Sequence, residues 1–263
     1  MKRFPVLFVL FGRFLAKSIL VMINILASSG IDLAHAELPT LQPAAPAPAR
    51  PVKPITDWAG LGRYREENAQ LPPPAAGELR VVFMGDSITD AWKRKQPEFF
   101  SDKPHICRGI SGQTSPQMLI RFRPDVIAHK PKVVVILAGT NDLAGNTGPM
   151  APEQTLGNLI SMTELAKANG IRVVLSSVLP ATVFPWRQDV GNPAETIIAL
   201  NALIKNYAEK NGCIYLNYYS AMVNDEKGLK QEYAQDAVHP NRAGYEVMAP
   251  LAEKAIAQAL HGN

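Results

Sequence analysis

The chain has 263 residues, of which 47% are hydrophobic and 19% charged, a globular balance and enough length for one well-packed α/β domain. Its formal charge of +4 comes from 27 basic and 23 acidic residues, but four of the basic ones (Lys2, Arg3, Arg13, Lys17) and one acid (Asp32) lie in the first 36 positions. The 23 basic and 22 acidic residues that remain form no basic stripe, which argues against nucleic acid as a partner.

Read in chain order, the first segment has the pattern of a secretory signal peptide. Basic residues come first, then the apolar run Ser18–Ala27, then Ala34-His35-Ala36 before Glu37, a charged n-region, an h-region and a small-residue cleavage site. Arg13 and Lys17 break the apolar stretch, so neither piece reaches the roughly 20 residues a membrane span needs. The expected organisation is a signal peptide over 1–36, a Pro/Ala-rich linker over 37–55 and a globular domain over 56–263, placing the mature chain in the periplasm or outside the cell, with no stable membrane insertion. Asp57 is positioned to N-cap a helix carrying Trp58, Leu61 and Tyr64 on one side, a stripe for packing or for carbohydrate contact. Leu71-Pro72-Pro73-Pro74 ends it.

From there apolar, β-rich runs alternate with helical patterns. The runs are Arg80–Met84, the stretch around Ile106, Val133–Leu137, Val173–Ser176 and Cys213–Leu216; the helices are near Pro116–Phe122, then Pro152–Asn169, Glu195–Asn211 and Arg242–Leu260. Continuous apolar strands between helices predict a parallel sheet covered on both faces. The two cysteines of the exported part, Cys107 and Cys213, fall beside strands expected at opposite sides of the sheet, so they are expected as unpaired thiols. There is no C-x-x-C pair and no Cys/His cluster.

Ligands of open α/β sheets bind beyond the carboxyl ends of the strands. Four polar segments fall there: Gly85-Asp86-Ser87, Arg108-Gly109-Ile110-Ser111-Gly112-Gln113, Gly139-Thr140-Asn141-Asp142 and Asp236-Ala237-Val238-His239-Pro240. A serine hydroxyl becomes a useful nucleophile when an imidazole takes its proton and a carboxylate fixes that imidazole. Of five histidines, His35 lies in the signal segment, His261 in the tail, and His129 on a helix end where Asp125 reads as a plain surface pair. Asp102/His105 and Asp236/His239 share the Asp-x-x-His spacing, and spacing does not choose between them. Position does. His105 enters the second strand at the amino edge, whereas His239 follows the last strand on the edge that carries Ser87. His239 is thus the expected base, Asp236 its orienter, and Ser87 the expected nucleophile; Ser111 lies in a segment similar to a G-x-S-x-G elbow but without the last glycine. Gly112 N–H, the Asn141 amide and the Ser87 N–H are candidate oxyanion donors.

Val81-Val82-Phe83-Met84-Gly85-Asp86-Ser87-Ile88-Thr89, Arg108–Thr114, Ala138–Asp142 and Asp236–Pro240 together resemble, in order, the four blocks of the GDSL-type, or SGNH, hydrolases. Ile88 stands where the family name has Leu. The resemblance implies a flavodoxin-like three-layer α/β/α sandwich with a five-stranded parallel sheet. It also implies Ser87 as nucleophile, Asp236 and His239 completing the triad, and Ser87, Gly112 and Asn141 in the oxyanion hole, with no metal or other cofactor. The third block and the Gly109–Thr114 loop are similar to the branch of platelet-activating-factor acetylhydrolase-like proteins and bacterial acetylesterases. The expected activity is hydrolysis of short acyl esters, such as acetylated carbohydrate, through an acyl-Ser87 intermediate. Lysophospholipase, thioesterase and acyltransferase chemistry stand beside it. So do a metal-dependent phosphoesterase using Asp86, Asp142, Asp236 and His239, and a non-catalytic glycan-binding module. The loop from Leu179 to Asn192, with Phe184 and Trp186, is expected to line the acyl or leaving-group side or to pack as a lid.

Overall fold

The computed structural model describes residues 57–262; the expected signal peptide and the whole of the expected linker lie outside the described residues. Five strands form one all-parallel sheet: β1 (Val81–Gly85), β2 (His105–Gly109), β3 (Val133–Leu137), β4 (Arg172–Ser176) and β5 (Ile214–Leu216), in the order β2-β1-β3-β4-β5. β1 is central to the topology. Val81 pairs with His105 on one side and Val133 on the other, and Gly85 with Gly109 and Leu137. This is the flavodoxin-like order, and its switch point falls between the carboxyl ends of β1 and β3.

β1 and β3 are apolar throughout because both faces are covered, whereas the edge strand β2 carries His105 and Arg108, and alternate residues feed two separate cores. Val82, Met84, Val134, Ile136, Val173 and Leu175 pack against α4 (Ser115–Asp125), α6 (Pro152–Ala168) and α7 (Ala194–Lys210) through Met118, Phe122, Leu159, Met162, Ile197 and Leu200. Val81, Phe83, Val133, Val135 and Val174 meet α2 (Ser87–Lys95), α3 (Glu98–Ser101) and α9 (Arg242–His261) through Trp92, Phe99, Phe100, Tyr245 and Met248. Three short helices complete the described chain: α1 (Arg65–Gln70), α5 (Thr140–Leu143) and α8 (Tyr219–Met222). No helix among the described residues is long and apolar enough to cross a membrane.

Several expectations change here. Asp57 caps no helix; its two carboxylate oxygens accept the N–H groups of Leu61 and Gly62, each at 2.7 Å, and close a tight turn. The helix starts only at Arg65, and the supposed aromatic stripe is split. Tyr64 is buried with its hydroxyl on the carbonyl of Gly109, while Trp58 and Leu61 are exposed. Asp125 and His129 are not a surface pair. Both are buried, and they bond separately: Asp125 to Arg121 (2.9 Å) and Asn68 (2.7 Å), His129 Nε2 to Asn68 Oδ1 (2.9 Å). Cys107 and Cys213 are free, buried thiols, in β2 and just before β5, on opposite edges of the sheet.

Candidate active site

Loops at the carboxyl edge bring the expected residues into one small cavity of about 180 Å³, lined by Ser87, Ser111, Gly112, Asn141, Asn146, Trp186 and His239. Ser87 is the first residue of α2, directly after β1. Asp86 caps that helix by accepting the Ile88 N–H at 2.9 Å, which aims the first turn, and Ser87 with it, out of the sheet. The Ser87 N–H is one of the first-turn donors that have no acceptor within a helix. Ser87 Oγ lies 3.0 Å from His239 Nε2.

His239 is held from behind. Its Nδ1 is 2.9 Å and 3.0 Å from the two oxygens of Asp236, whose Oδ1 also accepts the backbone N–H groups of Val238 (2.9 Å) and His239 (2.8 Å). Partial burial pushes the Asp236 carboxyl up, but these N–H donors and the imidazole outweigh it and hold it below its ordinary value. An ionised Asp236 keeps the proton of the neutral ring on Nδ1 and leaves Nε2 free to accept one from Ser87. His105 has no carboxylate within hydrogen-bond reach: its Nδ1 faces the carbonyl of Phe99 at 3.1 Å, at the amino end of β2, with Glu253 Oε1 3.9 Å away, and Asp102 accepts from Ser101 instead. Ser111 is exposed and lines the cavity, but Ser87 is the hydroxyl that meets the imidazole.

The remaining donors come from the second and third loops. Gly112 has φ +78, and a Cβ there would come no closer to another residue than 4.0 Å from Asn146 Nδ2. Within the protein, backbone conformation rather than crowding calls for glycine at this turn. Asn141, in α5, is buried and donates from Nδ2 to the carbonyl of Gln113 at 3.0 Å. Asp142 binds the two loops together, accepting the Ser115 N–H (3.0 Å) and hydroxyl at the start of α4. Burial raises the Asp142 carboxyl, against the lowering effect of those bonds. Burial likewise pushes Asp86 up to about 7, countered mainly by the Ile88 N–H. Asp86 is engaged by the Ile88 N–H and Asp142 by Ser115. Among the described residues no group of three or more His, Cys, Asp or Glu is placed to hold an ion.

Asn146, in the turn after α5, is not among the residues singled out from the sequence. Its Nδ2 donates to Asn141 Oδ1 at 2.8 Å and to the Gly112 carbonyl at 3.1 Å. Its Oδ1 accepts the Trp186 indole N–H at 2.9 Å. Phe184 is an anchor buried in the core, and Trp186, 41% exposed, lines the cavity with its ring centre 6.2 Å from that of His239.

The sheet and the cavity at its switch point define an open α/β protein with a serine, a histidine and an aspartate in line at its carboxyl edge. Comparison with known proteins is specific about which kind. The chain belongs to the GDSL-like lipase/acylhydrolase family, whose family model matches residues 83–247. The crystal structure of a GDSL-like lipase from Bacteroides thetaiotaomicron is 51% identical, superimposes with a TM-score of 0.75, and covers 77% of this chain and 99% of its own. Esterase TesA of Pseudomonas aeruginosa is 35% identical over 128 residues, 44% of this chain and 62% of its own. The acetylxylan esterase of Xylanibacter ruminicola is 24% identical over 221 residues, 71% of this chain and 45% of its own. The chain therefore spans less than two thirds of the length of either of these curated relatives.

Proposed function

We propose that this protein is a serine carboxylic ester hydrolase that works through an acyl-Ser87 intermediate on short acyl esters, acetylated carbohydrate foremost. The observation that carries the reading is the line Ser87 Oγ, His239 Nε2, His239 Nδ1, Asp236, with its 3.0 Å and 2.9 Å contacts. As Ser87 Oγ attacks the ester carbonyl, His239 takes its proton on Nε2, and Asp236 stabilises the imidazolium. The negative charge that develops on the former carbonyl oxygen is met by the N–H groups of Ser87 and Gly112 and by the Asn141 amide. Collapse returns the proton from His239 to the leaving alcohol, and water, activated by the same imidazole, frees the acid and restores Ser87.

A short acyl group suits the dimensions. A cavity of about 180 Å³ is below the roughly 300–1,000 Å³ of pockets that enclose larger ligands, so a long chain would have to lie outside it. The acetylxylan esterase among the relatives favours a sugar as the alcohol. Export by the leader over 1–36 belongs to the same reading, and mass analysis of the protein made with its leader should find a mature chain starting at Glu37.

The test is a p-nitrophenyl ester series from acetate to octanoate, read beside release of acetate from acetylated xylan. Turnover should fall with chain length, Ser87→Ala should lower kcat by at least about 10⁴, and Asn141→Ala by about 10²–10³. The nucleophile assignment is wrong if Ser111→Ala abolishes turnover while Ser87→Ala keeps it. The acetyl preference is wrong if octanoate outruns acetate.

A further inference from the structure

The oxyanion role proposed for Asn141 requires its amide to present Nδ2, not Oδ1, to the cavity. An amide is close to symmetric in shape, so something must set which end faces which way. Trp186 supplies a fixed point, because an indole N–H can only donate. The Asn146 atom 2.9 Å from it must therefore be the acceptor Oδ1. That turns Asn146 Nδ2 toward two acceptors, the Gly112 carbonyl (3.1 Å) and Asn141 Oδ1 (2.8 Å). With its oxygen occupied there, Asn141 has only Nδ2 left to face the Gln113 carbonyl (3.0 Å), Asp86 Oδ2 (3.4 Å) and the cavity. Each bond fixes the polarity of the next.

We propose that Asn146 is a positioning residue of the active site, and that through it the Trp186 indole N–H fixes the donor orientation of the Asn141 amide and of the Gly112 turn. This rests on the esterase reading above and adds to it a coupling between the Trp186 side of the cavity and the oxyanion hole. The loop that carries Trp186 grips the Asn146 turn at a second point, where Arg187 Nη1 donates to the Gly145 carbonyl at 2.9 Å. It is seated in the core by Phe184, whose ring centre is 5.6 Å from that of Trp186. The Asn146 backbone N–H in turn bonds the Asn141 carbonyl at 3.0 Å, holding the two side chains in register. A loop that reads as a lid is also the far end of a hydrogen-bond relay into the site.

The relay predicts a distinct kinetic pattern on p-nitrophenyl acetate. Asn146→Asp replaces the donor facing Asn141 Oδ1 and the Gly112 carbonyl with an acceptor, so the Asn141 oxygen is repelled and the amide is displaced from its place beside the cavity, even though Nδ2 keeps the Gln113 carbonyl. Its kcat should drop by about 10²–10³, as for Asn141→Ala, with KM changed far less. The double variant Asn141→Ala/Asn146→Asp should be no slower than Asn141→Ala alone, since both remove the same donor. Trp186→Phe keeps the ring and removes only the N–H; it should lower kcat several-fold at an unchanged melting temperature and serves even if the charged variant folds poorly. Wild-type kcat in both Asn146→Asp and Trp186→Phe, or losses that multiply in the double variant, would overturn the relay while leaving the esterase reading intact. A wild-type kcat for Asn141→Ala would instead sink the oxyanion assignment on which the relay depends.

Discussion

At the scale of single residues, Asp86 shows how one side chain serves structure at an electrostatic cost. It is buried behind the Ser87 turn, and it caps α2 through the Ile88 N–H. Burial pushes its carboxyl from the ordinary 3.8 up to about 7. An unfolded chain releases that proton near pH 4 and the folded one near pH 7, so between those values the native state binds more protons. Stability then falls as pH rises through this window, by about 4 kcal/mol for this group taken alone. Asp86→Asn keeps an oxygen for the Ile88 N–H and has no charge to bury. Urea unfolding of the two proteins from pH 4.5 to 8 should show the variant gaining on the natural protein by several kcal/mol as pH rises. A difference that stays flat across the range would mean that Asp86 is ionised throughout. The sequence shows Asp86 as a motif position but not its burial, because burial depends on Asn141 and Asp142 arriving from a different loop.

At the scale of elements, the long ones were readable and the single-turn ones were not. β1 and β3 are apolar runs because they are covered on two faces, and α6, α7 and α9 are long enough to show a helical period. α3, α5 and α8 have four residues each and carry no period to read. Around Asp57, Gly60 and Gly62 favour a turn over a helix, and the carboxylate serves that turn. Two glycines show how differently elements meet. A Cβ on Gly109, the last residue of β2, would sit 2.2 Å from the backbone nitrogen of Asp90 and 2.8 Å from the carbonyl oxygen of Asp86. The end of β2 thus packs directly on the first turn of α2, and Gly109→Ala must push the nucleophile's helix off the sheet. The expected cost is about 1–3 kcal/mol or more, with a parallel loss of kcat. Gly157 lies inside α6, and a methyl group added there would meet nothing within 4 Å, so Gly157→Ala should add about 0.5–1 kcal/mol. Thermal melts and acetate-ester turnover of the pair check both, and equal effects from the two substitutions would contradict the packing contrast.

At the scale of the whole molecule, the site rests on a buried polar strut that pattern reading could not reveal. An Arg and an Asp four residues apart on a helix read as a solvated pair, and only the tertiary fold puts them inside. Arg121 is fully buried. It donates from Nη2 to the Gly85 carbonyl (3.0 Å), from Nε to Gln113 Oε1 (2.5 Å) and from Nη1 to Asp125 (2.9 Å), and Asp125 accepts from Asn68 at 2.7 Å. One guanidinium therefore ties together the end of β1 before the nucleophile, the loop whose Gln113 carbonyl receives the Asn141 amide, and the helix α4. Asn68 extends the tie to α1, where it also meets Arg108 and His129. Burial draws the Arg121 guanidinium down from its ordinary value, and Asp125 opposes that. Arg121→Met would leave Asp125 buried without its cation, and removing one partner of such a pair costs about 3–5 kcal/mol. Asp125→Leu alone strands the cation in the same way. Joined in one protein, the two changes remove both charges, so the double variant should be more stable than the sum of the single losses implies, by more than about 1 kcal/mol. It should not return to the natural level, because Gln113 Oε1 loses its donor and the Gly85 carbonyl and Asn68 each lose one of their bonds. Turnover should stay low in every variant without Arg121, since the guanidinium holds the carbonyl beside the nucleophile's turn. Denaturant unfolding of the four proteins measures the coupling, and strictly additive losses would mean that Arg121 and Asp125 contribute as independent groups and not as one strut.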